Sequence, residues 1–280
     1  MFICPLFEHG MILRSGDYEW EYFKFGNGPE VLFAWHGFDN DADDFRIFEN
    51  AFGNRYTIIA LNLFYHGKSK PLNDGAALNF NSEDLIIFFK KLLEEIKCER
   101  FSMLGFSLGG RIILDLLPKF AERIDRILLL APDGLVISKW YLFITHTYFG
   151  KYLFKRVIKK PNRFFRIARF IRATGLLKEK QYKFALANFD TPEKRRKVYN
   201  VWMIFRNILP VYPEIKSVLS RHNIQITIFF GKFDTIIPAS FADQFRKKTK
   251  AEIRVKELNT GHNLMKASLA GEYVQWLDEG

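Results

Sequence analysis

Two hydrophobic rhythms alternate along the 280-residue chain. Short apolar runs punctuated by Gly, Pro, Asn or Asp predict strands at Val31–Trp35, Thr57–Leu61, Phe101–Leu104, Arg126–Leu130, Gln225–Phe230 and Ile253–Leu258. Stretches with apolar residues three and four apart predict helices at Asp41–Ala51, Ser82–Ile96 with Ser82 as its cap, Ser107–Leu117, Pro238–Lys248 and Leu264–Leu277. Ahead of them, Met11–Ser15 and Tyr18–Phe25 flank Gly16-Asp17, a hairpin signal. Strands that alternate with helices imply an α/β fold around a mostly parallel sheet, with helices on its faces.

The alternation stops after Ala131-Pro132 and resumes near Gln225. Between them lie roughly ninety aromatic-rich residues of mainly helical pattern, far longer than an ordinary strand-to-helix connection. The expected organisation is therefore a core of residues 1–132 and 225–280, interrupted by a helical cap at 133–224 over one end of the sheet.

Composition narrows the class. A hydrophobic fraction of 48% is ample for a large buried core and argues against disorder. Cys4 and Cys98 are too few and too far apart for a disulfide framework or a metal cluster, which favours a reducing, cytoplasmic setting. The first residues lack the pattern of a signal peptide. No window reaches the ~18 to 20 consecutive apolar residues of a spanning helix, and the nearest, Trp140–Phe154, contains Thr145, His146, Thr147 and Lys151.

The net charge of +11 is unevenly placed. Between Gly134 and Lys178 there are eleven Lys or Arg and no Asp or Glu, while the other 31 basic residues balance the 31 acidic ones. Lys151, Lys155 and Lys159 recur at a spacing of four, as do Arg156 and Lys160, with Leu153, Phe154, Val157 and Ile158 on the opposite side of the same wheel. After Pro161-Asn162 the pattern repeats, with Arg163, Arg166, Arg169 and Arg172 against Phe164, Phe165, Ala168 and Ile171. Two readings stand: a cap whose basic side is only solvated, or helices over 151–172 that make peripheral contact with an anionic membrane or an anionic substrate. Nucleic acid is not expected, because charge without a recognition motif is nonspecific.

The strongest chemical signal is Gly105-Phe106-Ser107-Leu108-Gly109-Gly110, between a predicted strand and a predicted helix. Gly-x-Ser-x-Gly at such a junction makes a sharp turn in which small neighbours allow a tight backbone and the hydroxyl stands out above the sheet. The start of a helix also places the serine oxygen at the positive end of a dipole.

With these residues in view, the chain resembles the α/β-hydrolase fold family, in the manner of its capped serine esterases, lipases and carbon-carbon bond hydrolases. The resemblance covers about residues 11–132 and 225–280, and it implies an eight-stranded, mostly parallel sheet flanked by helices, with an inserted helical cap. The motifs follow the family's order: His36-Gly37-Phe38, His66-Gly67-Lys68-Ser69, the elbow serine, Gly231-Lys232-Phe233-Asp234 and Thr260-Gly261-His262. It implies Ser107 as nucleophile, His262 as general base and Asp234 as the acid that orients the ring, with Asp133 as an alternative acid one strand earlier. The oxyanion hole would use the backbone N–H groups of Phe38 and Leu108, with Gly105, Gly109, His36 and Gly37 supporting the loops. Such chemistry needs no metal or organic cofactor and takes a small-molecule acyl substrate, here an apolar one given the aromatic cap. Serine at the elbow sets aside the relatives that use Asp there for epoxides and haloalkanes. One departure is Asn62-Leu63-Phe64-Tyr65, where Asp is commoner than Asn62 and Pro-Gly commoner than Phe64-Tyr65.

Overall fold

The computed structural model describes residues 10–159, 161, 166 and 189–278. Its centre is a sheet built from β1 (Met11–Ser15), β2 (Tyr18–Phe25), β3 (Glu30–Trp35), β4 (Tyr56–Leu61), β5 (Lys70–Pro71), β6 (Phe101–Phe106), β7 (Ile124–Leu130), β8 (Gln225–Gly231) and β9 (Ile253–Leu258). Eight strands run in the order β1-β2-β4-β3-β6-β7-β8-β9, and the two-residue β5, which the apolar pattern does not announce, pairs with β2. The pairs from β4 through β3, β6, β7 and β8 to β9 are parallel, while β1, β2 and β5 pair antiparallel.

Alternation of side chains along the strands builds two cores at once. Phe33, Trp35, Met103, Ile127, Leu129, Ile226 and Ile228 point to one face, and Leu32, Ala34, Ile58, Ala60, Leu104, Leu128 and Phe229 to the other. The first face is covered by α3 (Ser82–Ile96) and α4 (Leu108–Phe120) through residues such as Phe88, Phe89, Ile112 and Leu116. The second is covered by Phe45, Phe48 and Phe52 and by Tyr273 and Trp276.

Several boundaries differ from the predicted ones for local reasons. The stretch expected as one helix at Asp41–Ala51 is a 3-10 helix over Ala42–Phe48 followed by α1 (Glu49–Phe52). Its buried Ala42, Phe45 and Phe48 are spaced by three, which suits the tighter helix. Before α3, the chain forms α2 (Asp74–Asn79). The cap of α3 is Asn81, whose side chain accepts from the N–H groups of Glu83 and Asp84, and Ser82 instead opens the helix and donates to Asp115 Oδ1 at 2.8 Å. The C-terminal helix starts later than Leu264: residues 264–266 stay in the loop, a 3-10 turn covers Ala267–Leu269, and the α-helix runs Ala270–Asp278.

Between β7 and β8 the described residues form no strand. They fold as α5 (Lys139–His146), α6 (Tyr148–Lys159), α7 (Pro192–Ile204) and α8 (Tyr212–Leu219), and after β8 come α9 (Ser240–Thr249) and the C-terminal α10 (Ala270–Asp278). Of the two predicted basic helices, the first corresponds to α6, and of the second only Arg166 is among the described residues. No helix among the described residues is long and apolar enough to cross a membrane.

The unusual Asn62-Leu63-Phe64-Tyr65 segment has a packing explanation. Asn62 donates through Nδ2 to the buried Glu21 at 2.8 Å and accepts at Oδ1 from the Ala42 N–H at 2.8 Å. An Asp there would set two buried carboxylates against each other. Phe64 is buried against Trp20, with ring centroids 4.1 Å apart, and against Phe205 from the helical segment at 5.8 Å. Its bulk ties that segment to the sheet, a contact that proline could not reproduce.

Candidate active site

The site is assembled where parallel strands end. At the end of β6, Ser107 adopts φ +49° and ψ −113°, a conformation that costs a non-glycine residue about 1 to 3 kcal/mol and persists only when its surroundings hold it. Four backbone hydrogen bonds do so: Ser107 N–H to Leu130 O at 3.0 Å, Asp133 N–H and Gly110 N–H to Ser107 O at 2.8 and 2.9 Å, and Gly109 N–H to His36 O at 3.1 Å. Gly109 is required by space, because a Cβ there would collide with the carbonyl oxygen of Trp35. A Cβ on Gly105 would meet Ile113 and the backbone of α4 below 3 Å. The turn thus packs α4 directly onto β3 and β6.

Two adjacent strand ends supply the partners. Past β8, the turn at Gly231–Asp234 closes with Asp234 N–H to Gly231 O at 2.9 Å, and it is bound to the turn after β9 by Phe233 N–H to Thr260 O at 3.0 Å. Asp234 is buried; its Oδ1 accepts from the N–H groups of Ile236 and Ile237 at 2.8 and 3.0 Å. Its Oδ2 faces His262 Nδ1 at 2.7 Å, and His262 Nε2 lies 3.1 Å from Ser107 Oγ. A carboxylate can only accept, so Nδ1 carries the proton and Nε2 is left to accept from the serine hydroxyl. The His262 ring leans on Phe106, with centroids 5.4 Å apart. An imidazole held in that tautomer can take a proton from Ser107 and hand it to a leaving group.

Asp133 does not join this chain. It is paired with the buried Arg111, and its Oδ1 accepts from the Gly134 N–H at 2.7 Å. Arg111 also donates to the Tyr141 hydroxyl at 2.8 Å. Burial opposes its charge most strongly, but Asp133 and Tyr141 together outweigh that and raise the guanidinium above its ordinary range. The sequence reading did not single out Arg111; its position one helical turn beyond Ser107, opposite the acid after β7, was the available signal.

Leu108 follows Ser107 directly and Gly37, before Phe38, lies against the Ser107 side chain; among the described residues no turn, loop or cap hydrogen bond uses the N–H of Phe38 or Leu108. Two buried histidines set the Phe38 loop. His36 donates from Nδ1 to Gly37 O at 2.6 Å and accepts from Leu63 N–H at Nε2 at 3.0 Å, which fixes a neutral ring. Burial, with His66 beside it, holds its pKa well below the usual histidine range. His66 faces Phe38 O with Nε2 and Phe64 O with Nδ1. A neutral ring can donate to only one of them; burial and then Lys197 hold this pKa down at about 4. Both side chains therefore brace loops. Lys197, on α7, also lies 5.6 Å from the Phe38 ring centroid.

Above Ser107 opens a cavity of about 1370 Å³, larger than the usual range for small-molecule sites. Its floor includes Ser107, Phe106, Leu108 and His262, and its walls include Val136 from the loop after β7 and Ile144, Phe154, Val198 and Trp202 from the helices between β7 and β8. Apart from Ser107 and His262 the charged groups of the lining are Asp39, Arg111, Asp133 and Arg156, and most of the remaining lining is apolar. Among the described residues no three His, Cys, Asp or Glu side chains gather as metal ligands would.

Comparisons with known proteins agree with this architecture. Over 113 residues, 40% of the chain is 28% identical to the dihydrolipoyllysine-residue acetyltransferase component of the acetoin cleaving system of Cupriavidus necator, of which the match covers 29%. The chain thus spans under a third of the length of the first curated relatives it matches. Similarity to the uncharacterized hydrolase YugF of Bacillus subtilis is 23% identity over 84% of both chains. Among solved structures, MGS-M2, an alpha/beta hydrolase enzyme from a deep-sea metagenome library, superposes with a TM-score of 0.68 at 15% identity, over 95% of each chain. Carboxylesterase CesB (YbfK) of Bacillus subtilis gives 0.62 at 16%, over 97% of this chain and 92% of that one. The sequence model of the alpha/beta hydrolase fold matches residues 30–266, and with the elbow, sheet order and strand-end site above, the chain belongs to the alpha/beta hydrolase fold family.

Proposed function

We propose that the protein is a serine hydrolase that cleaves a carboxylic ester or related acyl bond through an acyl-Ser107 intermediate. The observation that carries this reading is the unbroken Asp234–His262–Ser107 hydrogen-bond chain at the floor of a largely apolar cavity. Ser107 attacks the carbonyl carbon while His262 Nε2 takes its proton; the carbonyl oxygen becomes an oxyanion held by the Phe38 and Leu108 N–H groups. The intermediate collapses as His262 returns the proton to the leaving group, and water then repeats the sequence to free the acid. Asp234 stabilises the imidazolium formed in each half. The apolar walls favour a long or aromatic acyl group, and the residues between β7 and β8 act as a cap over it.

Labelling with a fluorophosphonate probe tests the nucleophile: wild-type protein becomes labelled and Ser107→Ala does not. An unlabelled, folded wild type would instead point to a noncatalytic ligand-binding protein. Aryl esters of increasing acyl length test the substrate class, with turnover expected to rise with length. Cleavage of a diketone-type carbon-carbon bond without ester turnover would move the reading to a carbon-carbon bond hydrolase on the same residues.

A further inference from the structure

The α5–α6 hairpin has two differently employed sides. Its inner side, through Ile144, Leu153, Phe154 and Val157, forms cavity wall. Its outer side leaves large aromatic rings in water: Trp140 is 63% exposed, Tyr148 88%, Phe149 60% and Tyr152 50%. Trp140 and Phe149 both contact Phe143, with ring centroids 5.5 and 6.4 Å apart, so these three rings form a continuous strip, and Tyr148 and Tyr152 stand exposed on the same helix as Phe149. A folded chain ordinarily has little reason to expose such a strip, and contiguous apolar surface of this kind marks a binding face.

The charge around the strip identifies the partner. Lys139, Lys151, Lys155 and Lys159 lie on the same two helices, and none of them forms an ion pair among the described residues. No Asp or Glu occurs between Gly134 and Lys178 to offset them. Aromatic rings bordered by lysines suit the boundary between acyl chains and anionic headgroups, where indole and phenol rings sit at headgroup level and ammonium groups reach the phosphates. The face is also joined to the cavity: Trp140 and the exposed Ile236, from the turn after Asp234, each contribute to the cavity lining.

We propose that the outer face of the α5–α6 hairpin docks on anionic phospholipid bilayers, setting the mouth of the Ser107 cavity against the lipid so that an acyl chain can enter without crossing water. The docking stands apart from the proposed hydrolase activity; only its use in delivering substrate rests on that reading. Cosedimentation therefore uses the Ser107→Ala protein, with vesicles of phosphatidylcholine alone and of phosphatidylcholine and phosphatidylglycerol in equal parts. The expected result is binding to the mixed vesicles only, weakened by salt. Lys155→Ala and Lys159→Ala should each lower the partition about fivefold, and Tyr148→Ser with Phe149→Ser should lower it further. In wild-type background these four substitutions leave turnover of a short soluble ester unchanged and reduce turnover of a long-chain ester presented in mixed vesicles. Equal behaviour toward both vesicles, partition indifferent to the substitutions, or retention by DNA with none by vesicles would overturn the proposal. Vesicle binding without ester turnover by any form would uphold the docking and remove the ester-hydrolase reading instead.

Discussion

Asp234 is held from two directions, and this sets the tautomer of His262. Its Oδ1 receives two backbone N–H groups, from Ile236 and Ile237, and only Oδ2 faces the ring. In Asp234→Asn the amide oxygen stays on those two donors, so the NH₂ group points at Nδ1. The ring must then accept there and carry its proton on Nε2, where it can no longer take the Ser107 proton. The expected outcome is a fall in kcat of about 10⁴, with KM and the unfolding midpoint little changed. Steady-state kinetics beside a thermal melt check it, and retention of more than a tenth of the activity would count against the assigned roles.

At the scale of elements, α3 and α4 meet through a buried acid. Asp115, on α4, accepts from Ser82 at the start of α3, while its other oxygen is buried without a partner. Burial pushes this carboxyl up to about 6, against the opposing effect of the Ser82 hydrogen bond. Its folded pKa lies above its unfolded value, so between pH ~4 and ~6 the folded state binds more protons and stability falls as pH rises. Above that window the penalty is complete, and below it absent. Asp115→Asn keeps the acceptor for Ser82 and removes the buried charge. It should raise unfolding free energy by about 1 to 3 kcal/mol at pH 7 and by almost nothing near pH 3. Denaturant titrations at the two pH values separate this from a pH-independent packing effect. The opposite sign, a less stable Asn variant at pH 7, would show that the carboxylate is solvated.

For the whole molecule, the proposed acyl chemistry makes the cavity between sheet and helices the determinant of which substrates fit. Val198 is buried on α7 and lines that space. Val198→Phe should lower turnover of long-chain aryl esters about tenfold or more while leaving short-chain esters nearly untouched, since a few methylenes of lost room are worth 1–3 kcal/mol. A uniform loss across chain lengths would place the acyl group elsewhere. Much of the molecule was legible beforehand. Period-two runs and a Gly-rich strand-to-helix junction are local properties, so the strands, the elbow at Ser107 and the fold class follow from neighbours in sequence. For the acid the sequence points to Asp234 with Asp133 as an alternative, because both follow strands, and the packed structure turns Asp133 onto Arg111 and Asp234 onto His262. The cap of α3 and the short strand β5 were missed because adjacent polar residues compete for a cap and two residues carry no period. Sequence by itself determined what repeats along the chain and which residue types stand at strand ends. Tertiary structure alone decided which of those ends meet, how wide a cavity the helices leave, and which aromatic rings remain outside. Those are distances between residues far apart in the chain, and only the packing of a filled core sets them.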